Sequence, residues 1–302
     1  MNAYNDFLKH IQPLNIKILE REPLDRHTSF KIGGPADLLI LPEDEPGLAG
    51  VLAACREGNV PCFLMGNGSN LLVGDEGFRG AVIKLADNFG GIELQQDGAT
   101  IKARAGTMLS KLCLFAMQKG LSGLEFAYGI PGTVGGAAYM NAGAYGGEMK
   151  HVLTSARYLD KDGRAGGLLA EQMELDYRRS AFCHNGYIIT EVTLRLTPAD
   201  KNQIKQKMDE LLGRRREKQP LNYPSAGSTF KRPPGNFAGG LIEQCGLKGA
   251  FVGGAQVSEK HAGFVVNRGN ATCKDVRELI EKIQTVVREK TGVSLECEIK
   301  FL

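Results

Sequence analysis

From residue 28 onward the apolar residues come in short bursts whose spacing changes from segment to segment. TSFKIGGPADLLILPED (28–44) turns at Gly33-Gly34 and runs into an apolar stretch that predicts a strand. In EPGLAGVLAACREG, Leu48, Val51, Leu52 and Cys55 recur on one helical face. PCFLMG (61–66) follows as another strand, which makes 28–66 a strand–helix–strand unit. GAVIKL, GIELQQD and TIKARAG alternate like strands, TMLSKLCLFAMQKG (107–120) has helical spacing, and a glycine-rich stretch runs from Gly123 to Gly147. Strands resume in VLTSARYLD and, after a turn at KDGR, in YIITEVTLRL (187–196).

The character then changes. TPADKNQIKQKMDELLGRRREKQP (197–220) predicts a charged amphipathic helix with Pro198 at its start, a natural boundary between domains. Beyond it come PSAGSTFKRPPG, a short helix AGGLIEQCG, strands near FVGGAQV and GFVVN, a long helix at 274–292 and a terminal strand VSLECEIKFL. The expected organisation is α+β: a lead-in at 1–27, a larger domain at 28–198 and a second α+β domain at 199–302.

A length of 302 residues suits about two domains. Apolar content of 42% with 24% charge excludes disordered, collagenous and disulfide-scaffold compositions. The 37 basic and 34 acidic residues are interleaved and sum to +3, so neither nucleic acid nor an anionic membrane is implied as a partner. No run approaches the ~18 apolar residues of a membrane span, and MNAYNDFLKH has no apolar signal core. The expectation is a cytoplasmic protein of small-molecule substrates, with no obligate protein partner evident. Seven scattered cysteines without a CxxC pair read as reduced thiols, and the five histidines have no clustered partners, so no metal is expected.

Glycine alters this ordinary picture, because 39 of 302 residues is near twice the usual ~7%. GNGSN (66–70) lies between two predicted strands; Gly66 and Gly68 admit positive φ, and Asn67, Ser69 and Asn70 supply short donors, a nest suited to a pyrophosphate. Leu71 replaces the third glycine of a dinucleotide fingerprint and no GK[ST] follows, so neither common phosphate motif is present. A plain glycine-rich turn is the alternative. YGIPGTVGGAAYMNAGAYGGEM (128–149) carries Gly129, Gly132, Gly135, Gly136, Gly143, Gly146 and Gly147. It reads as a wall for a large extended ligand, or as elements packed closely through small residues. With Gly33 and Gly34, three glycine-lined segments would surround one dinucleotide.

TSFKIGGPAD, GNGSNLLV, IPGTVGGAAYMNAGAYG, YRRSAF, AGSTFKRP and LECEI stand in an order and spacing that resembles the UDP-N-acetylenolpyruvoylglucosamine reductase family, over about 28–302. The resemblance implies a two-lobed FAD-binding region of vanillyl-alcohol-oxidase type followed by a substrate-binding domain, in the compact form that lacks a tyrosine-bearing loop. It implies FAD and NADPH as cofactors: NADPH reduces FAD, and reduced flavin passes hydride to the enolpyruvyl group of a UDP-sugar, giving UDP-N-acetylmuramate for peptidoglycan. FAD contacts would come from Gly33, Gly34, Gly66, Asn67, Gly68, Ser69, Asn70, Leu71, Gly129, Pro131, Gly132, Gly135, Gly136, Asn141 and Gly143.

Three residues match the family's catalytic positions. Arg178 in DYRRSAF would stabilise charge on the substrate carboxylate, Ser228 in AGSTFKRP would donate the proton, and Glu298 in LECEI would polarise the enolpyruvyl group. On the residues alone, Arg178 and Arg179 are equally a solvated surface pair, Ser228 a cap or turn, and Glu296 with Glu298 a solvent-facing strand pair. Arg214 and Lys218, one helical turn apart, are candidates for the substrate diphosphate, with Lys231 and Asn236 as further substrate contacts; a solvated basic helix end is the alternative. The resemblance implies an amide where Arg232 stands, a departure from the family's pattern. Two other functions use the same glycine loops: a flavin-dependent oxidase of the superfamily, and a nucleotide-binding module without turnover.

Overall fold

The computed structural model describes residues 2–302, and the chain divides into two compact units that are discontinuous in sequence. The first comprises Met1–Glu20, Leu38–Asn67 and Gly80–Arg214; the second comprises Arg21–Asp37, Gly68–Arg79 and Arg215–Leu302. Residues 21–37 and 68–79 therefore group with the C-terminal part of the chain.

The first unit holds helices α1 (Asn2–Ile11), α2 (Glu45–Glu57), α3 (Leu109–Gln118), α4 (Val134–Tyr139), α5 (Phe182–Asn185) and α6 (Lys201–Lys218, to Arg214). α1 brings Phe7 and Ile11 into the core, so the N-terminal segment contributes packing as well as leading in. α2 begins where the Asp44 carboxylate accepts the Gly47 N–H at 2.7 Å, and it buries Leu48, Val51, Leu52 and Cys55 as its periodicity predicts. α3 buries Leu109, Leu112, Cys113 and Ala116 in the same manner.

These helices pack with two sheets. One has the strand order Lys17–Pro23, Pro35–Leu41, Phe78–Lys84, Cys62–Met65, its last pair parallel with Cys62 opposite Ala81. The other is a five-stranded antiparallel sheet ordered Ala165–Leu169, Leu153–Leu159, Ile188–Arg195, Thr100–Arg104, Ile92–Leu94. α6 differs at its start from the sequence reading. Pro198 lies in a two-residue strand opposite Leu121, and Asp200 caps the helix by accepting the Asn202 and Gln203 N–H groups, both at 3.0 Å. A proline without an N–H suits such a short edge as well as it suits a helix start.

The second unit has its own core, in which Phe30, Ile32 and Leu72 join Phe230, Ile242, Val265 and the buried face of α8 (Cys273–Thr291). α7 (Ala238–Gln244) and an antiparallel meander of Phe251–Val252, Ala255–Val257 and Val265–Asn267 complete it. α8 starts at a capping box in which Thr272 and Asp275 each bond the other's backbone N–H, and it ends at Gly292 with φ +73°. The predicted terminal strand is shorter than expected: Lys300–Phe301 pairs in parallel with Leu71–Leu72, and before it only an isolated bridge joins Cys297 to Phe230.

Gly34 has a structural reason to be glycine. Its N–H bonds the Gly74 carbonyl at 2.9 Å, and a Cβ there would lie 2.1 Å from the Asp75 carbonyl oxygen and 2.5 Å from the Gly77 nitrogen. Backbone atoms on both counts cannot swing aside. Gly34→Ala is therefore expected to destabilise the protein by about 3 kcal/mol, the upper part of the overpacking range. A denaturant midpoint equal to that of the parent protein would contradict this packing.

Candidate active site

Three segments far apart in sequence run side by side in the second unit. The Thr229 carbonyl accepts the Glu298 N–H at 2.9 Å, and the Glu296 carbonyl accepts the Lys231 N–H at 2.8 Å, with the Phe230–Cys297 bridge between them. Asn70 then joins from the other side: its Nδ2 donates to the Glu298 carbonyl at 3.2 Å, and its own carbonyl accepts the Lys300 N–H at 2.9 Å. The structure thus brings Ser228, Glu298 and Asn70 together. Ser228 and Glu298 are half-buried, whereas Thr229 is buried and anchors the strip, bonding the Gly263 carbonyl through its N–H and the Val265 N–H through its hydroxyl. A rigid backbone frame under partly exposed polar side chains is what a proton-handling site requires.

The cation beside this strip is committed elsewhere. Lys231 Nζ pairs with the Glu296 carboxylate, so its charge is partly neutralised before it could act on Ser228. Arg232 places its guanidinium 3.9 Å from the centroid of the exposed Phe237 ring. Asn236 is exposed, with its amide 3.3 Å from the Pro234 carbonyl oxygen, and Lys218 is exposed. Gly33 and Gly34 open on a cleft of about 600 Å³ that Asp25, Tyr223 and Arg268 also line. Gly68 and Leu71 are buried; Ser69 is half-buried.

The first unit holds the other candidates. Asn67 Nδ2 donates to the Pro131 carbonyl at 3.2 Å, and a Cβ on Gly66 would lie 2.5 Å from Thr133 Oγ1, so the 66–67 loop abuts the 131–136 segment. Gly136 is exposed there, and a Cβ on it would meet only Thr133 Oγ1, at 3.5 Å. Gly129, Gly132 and Gly143 are half-buried and Pro131 is exposed. Arg214 pairs with Glu210 at 2.7 Å on α6, a bond that a diphosphate would have to replace.

Two further candidates are already engaged within the protein. Gly135 is buried, its N–H is bonded to the Ala105 carbonyl at 2.8 Å, and an added Cβ would press on Ala105. Asn141 is 1% exposed and its carboxamide is consumed within the protein. Nδ2 donates to Glu148 Oε2 at 2.9 Å and to the Asp176 carbonyl at 3.1 Å, while Oδ1 accepts the Lys150 N–H at 2.9 Å. Bonding to Lys150, and then to Asn141, holds the Glu148 carboxyl below the usual carboxylate range. At Gly135, as at Gly34, the glycine is close packing of chain on chain, the alternative that composition alone left open.

Arg178 is at the tip of a reverse turn. Asp176 and Arg179 exchange both backbone hydrogen bonds, each 3.1 Å, and Arg178 between them has φ +54°. Its guanidinium lies 5.1 Å from the Tyr177 ring centroid and the residue is half-buried; Arg179 is exposed and bonds His184 at 2.9 Å. The two arginines are therefore not an equivalent surface pair. Among the described residues there is no group of three or more His, Cys, Asp or Glu side chains placed to hold a metal ion, and no helix long and apolar enough to cross a membrane.

Comparison with known proteins gives concordant findings. Residues 219–302 match the family described as UDP-N-acetylenolpyruvoylglucosamine reductase, C-terminal domain, and residues 36–165 match the FAD binding domain family. The UDP-N-acetylenolpyruvoylglucosamine reductase of Clostridium botulinum strain 657 is 49% identical over 304 aligned residues, covering 100% of this chain and 98% of its own. That of Clostridioides difficile strain 630 is 50% identical over 301, with the same coverage. The crystal structure of the Thermus caldophilus reductase superposes with a TM-score of 0.80 at 38% identity, covering 95% of this chain and 98% of that one. An alkyldihydroxyacetonephosphate synthase, 17% identical with a TM-score of 0.50 over 65% of this chain, shares the fold alone.

Proposed function

Since the chain belongs to the UDP-N-acetylenolpyruvoylglucosamine reductase family, we propose that Arg178, Ser228 and Glu298 carry its reaction. The protein is an FAD- and NADPH-dependent oxidoreductase that reduces UDP-N-acetylglucosamine enolpyruvate to UDP-N-acetylmuramate for peptidoglycan synthesis. Its fold is a vanillyl-alcohol-oxidase-type FAD-binding region with a C-terminal domain, which we assign to the substrate. When bound, FAD supplies the hydride relay from NADPH to the enolpyruvyl double bond.

The chain fits that cofactor. The 66–67 loop lies against 131–136 with the exposed Gly136 adding no side chain, and Ser69 and Asn70 supply short polar groups in the same glycine-rich motif. We assign these residues, with Gly129, Gly132 and Gly143, to holding FAD. Gly33, Gly34, Gly68, Leu71, Gly135 and Asn141 complete the proposed FAD-binding set through the backbone of those segments.

What remains for the protein is to bind, stabilise charge and move one proton. Reduction at the β-carbon builds negative charge on the substrate carboxylate, and a planar guanidinium at Arg178 offers that group two parallel hydrogen bonds. The proton for the α-carbon comes from the Ser228 hydroxyl, which is too weak an acid to act without relay. With Lys231 paired to Glu296, the relay is a water or the Glu298 carboxyl, which shares the strip with Ser228. Arg214 and Lys218 remain the candidates for the diphosphate, with Asn236 as a weaker contact. Work in the cytoplasm accords with nucleotide-bound substrates and with the lack of a membrane-crossing helix among the described residues.

The adjacency of Ser228 and Glu298 across the bond from the Glu298 N–H to the Thr229 carbonyl carries this assignment. Purified protein should be yellow, lose its flavin absorbance anaerobically on addition of NADPH, and regain it on addition of UDP-N-acetylglucosamine enolpyruvate. Colour that returns only with oxygen would mark an oxidase instead, and a colourless protein that takes up no FAD would mark a binding module.

A further inference from the structure

We infer that the buried Asn141 carboxamide and the Ser180 hydroxyl are positioning groups that hold Arg178 in its working conformation. The inference rests on the assignment of Arg178 to the substrate carboxylate. It starts from backbone strain. Arg178 has φ +54°, a left-handed conformation that costs an L residue about 1–2 kcal/mol and that turns of this kind normally give to glycine or asparagine. A strained residue persists where its surroundings over-determine it, and such residues cluster at functional sites.

The two hydrogen bonds closing Asp176–Arg179 hold the turn only from within and leave its placement on the protein open. Bonds from outside the turn fix that placement. On the leading side, Asn141 Nδ2 donates to the Asp176 carbonyl at 3.1 Å. On the trailing side, Ser180 Oγ donates to the Tyr139 carbonyl at 2.6 Å, and Ser180 is fully buried. Both anchors meet the short stretch 139–141 at the end of α4, so the turn is clamped from its two ends to one place.

That place is itself fixed. Asn141 is bonded at both ends of its carboxamide, to Glu148 and to the Lys150 N–H, and Glu148 is paired in turn with Lys150 Nζ at 2.9 Å. Asn141 also has positive φ, +40°, which asparagine tolerates better than most residues. A buried carboxamide with every bond made specifies one conformer, since any alternative leaves Asn141 unpaired at low dielectric, although its partners Glu148 and Lys150 reach solvent. Its effect is to fix where the guanidinium of Arg178 emerges. Displacement of a catalytic group by ~1 Å costs about 10²-fold in rate.

The test uses the FAD-loaded enzyme and follows its two half-reactions separately by rapid mixing. Ser180→Ala and Asn141→Ala should each slow flavin reoxidation by the enolpyruvyl substrate by roughly 10–10²-fold, with a far smaller effect on flavin reduction by NADPH. In an Arg178→Ala background the same substitutions should add little, because the group they position is gone. Equal slowing of both half-reactions, or a loss that multiplies undiminished with that of Arg178→Ala, would overturn the inference and leave Arg178 in its role. Normal reoxidation by Arg178→Ala alone would overturn the role and the inference with it. Should Asn141→Ala fail to fold, Ser180→Ala, which removes a single hydroxyl, decides the matter.

Discussion

Ser228→Ala should leave reduction of the bound flavin by NADPH near the parent rate and slow reoxidation by UDP-N-acetylglucosamine enolpyruvate by more than ~10²-fold, the lower scale for a lost acid catalyst. The asymmetry follows from the chemistry: hydride transfer from NADPH needs no proton from this residue, whereas completing the substrate's α-carbon does. The fold protects the comparison. The segment is held by Thr229 and by the backbone bonds of Lys231 and Glu298, none of which involves the Ser228 side chain, so the variant should keep its structure. Stopped-flow traces of the two half-reactions are the measurement. Equal losses in both would remove Ser228 from the proton step and return it to the turn-forming alternative.

Arg178→Ala should be at least as severe in the same half-reaction, by ~10²–10³-fold, the usual cost of deleting a donor aimed at developing negative charge. Alanine at φ +54° keeps the backbone strain while deleting the guanidinium, so the loss reads the side chain's function more than the turn's geometry. Arg178→Lys should recover only part, because an ammonium keeps the charge without the planar two-point grip. Turnover at the parent rate in Arg178→Ala would show that the carboxylate is met by another group.

Sequence periodicity captured elements whose burial is one-sided. α8 is legible because Val276, Leu279, Ile280, Ile283 and Val287 mark one face and Gly292 its end, while its Thr272 cap precedes the expected start at 274. α3 was legible for the same reason. Extended segments that pair only briefly were not. The stretch around Cys297 has strand-like alternation yet makes one bridge, because its neighbours at 229–231 and 70–72 take it in turn. Strand pairing across more than 60 residues leaves no local trace.

The candidate site shows the same limit. Ser228, Glu298 and Arg178 are proposed from ordered motifs, while composition gives only a general expectation of glycine against a ligand. Gly34 and Gly135 prove to be pressed against the protein's own backbone and a neighbouring alanine, and a sequence does not distinguish a close-approaching chain from a close-approaching cofactor. Asn141 sits inside a glycine-rich motif and reads as a ligand contact; its burial and three internal bonds emerge only from the fold. Asparagine between small residues, near an arginine that must take positive φ, is the nearest thing to a signal, and it needs the fold to be interpreted.

The discontinuous second unit also sets a schedule for biosynthesis. Residues 68–79 leave the ribosome long before 296–302, yet Leu71–Leu72 has its partner in Lys300–Phe301 and Asn70 bonds Glu298 and Lys300. At translation rates of 5–20 residues per second the earlier segment waits roughly 11–46 s for its neighbour. During that interval the nascent chain exposes an unpaired apolar edge at 71–73, which makes it a natural client for holding chaperones and a point where overexpression at high temperature would divert product into inclusion bodies.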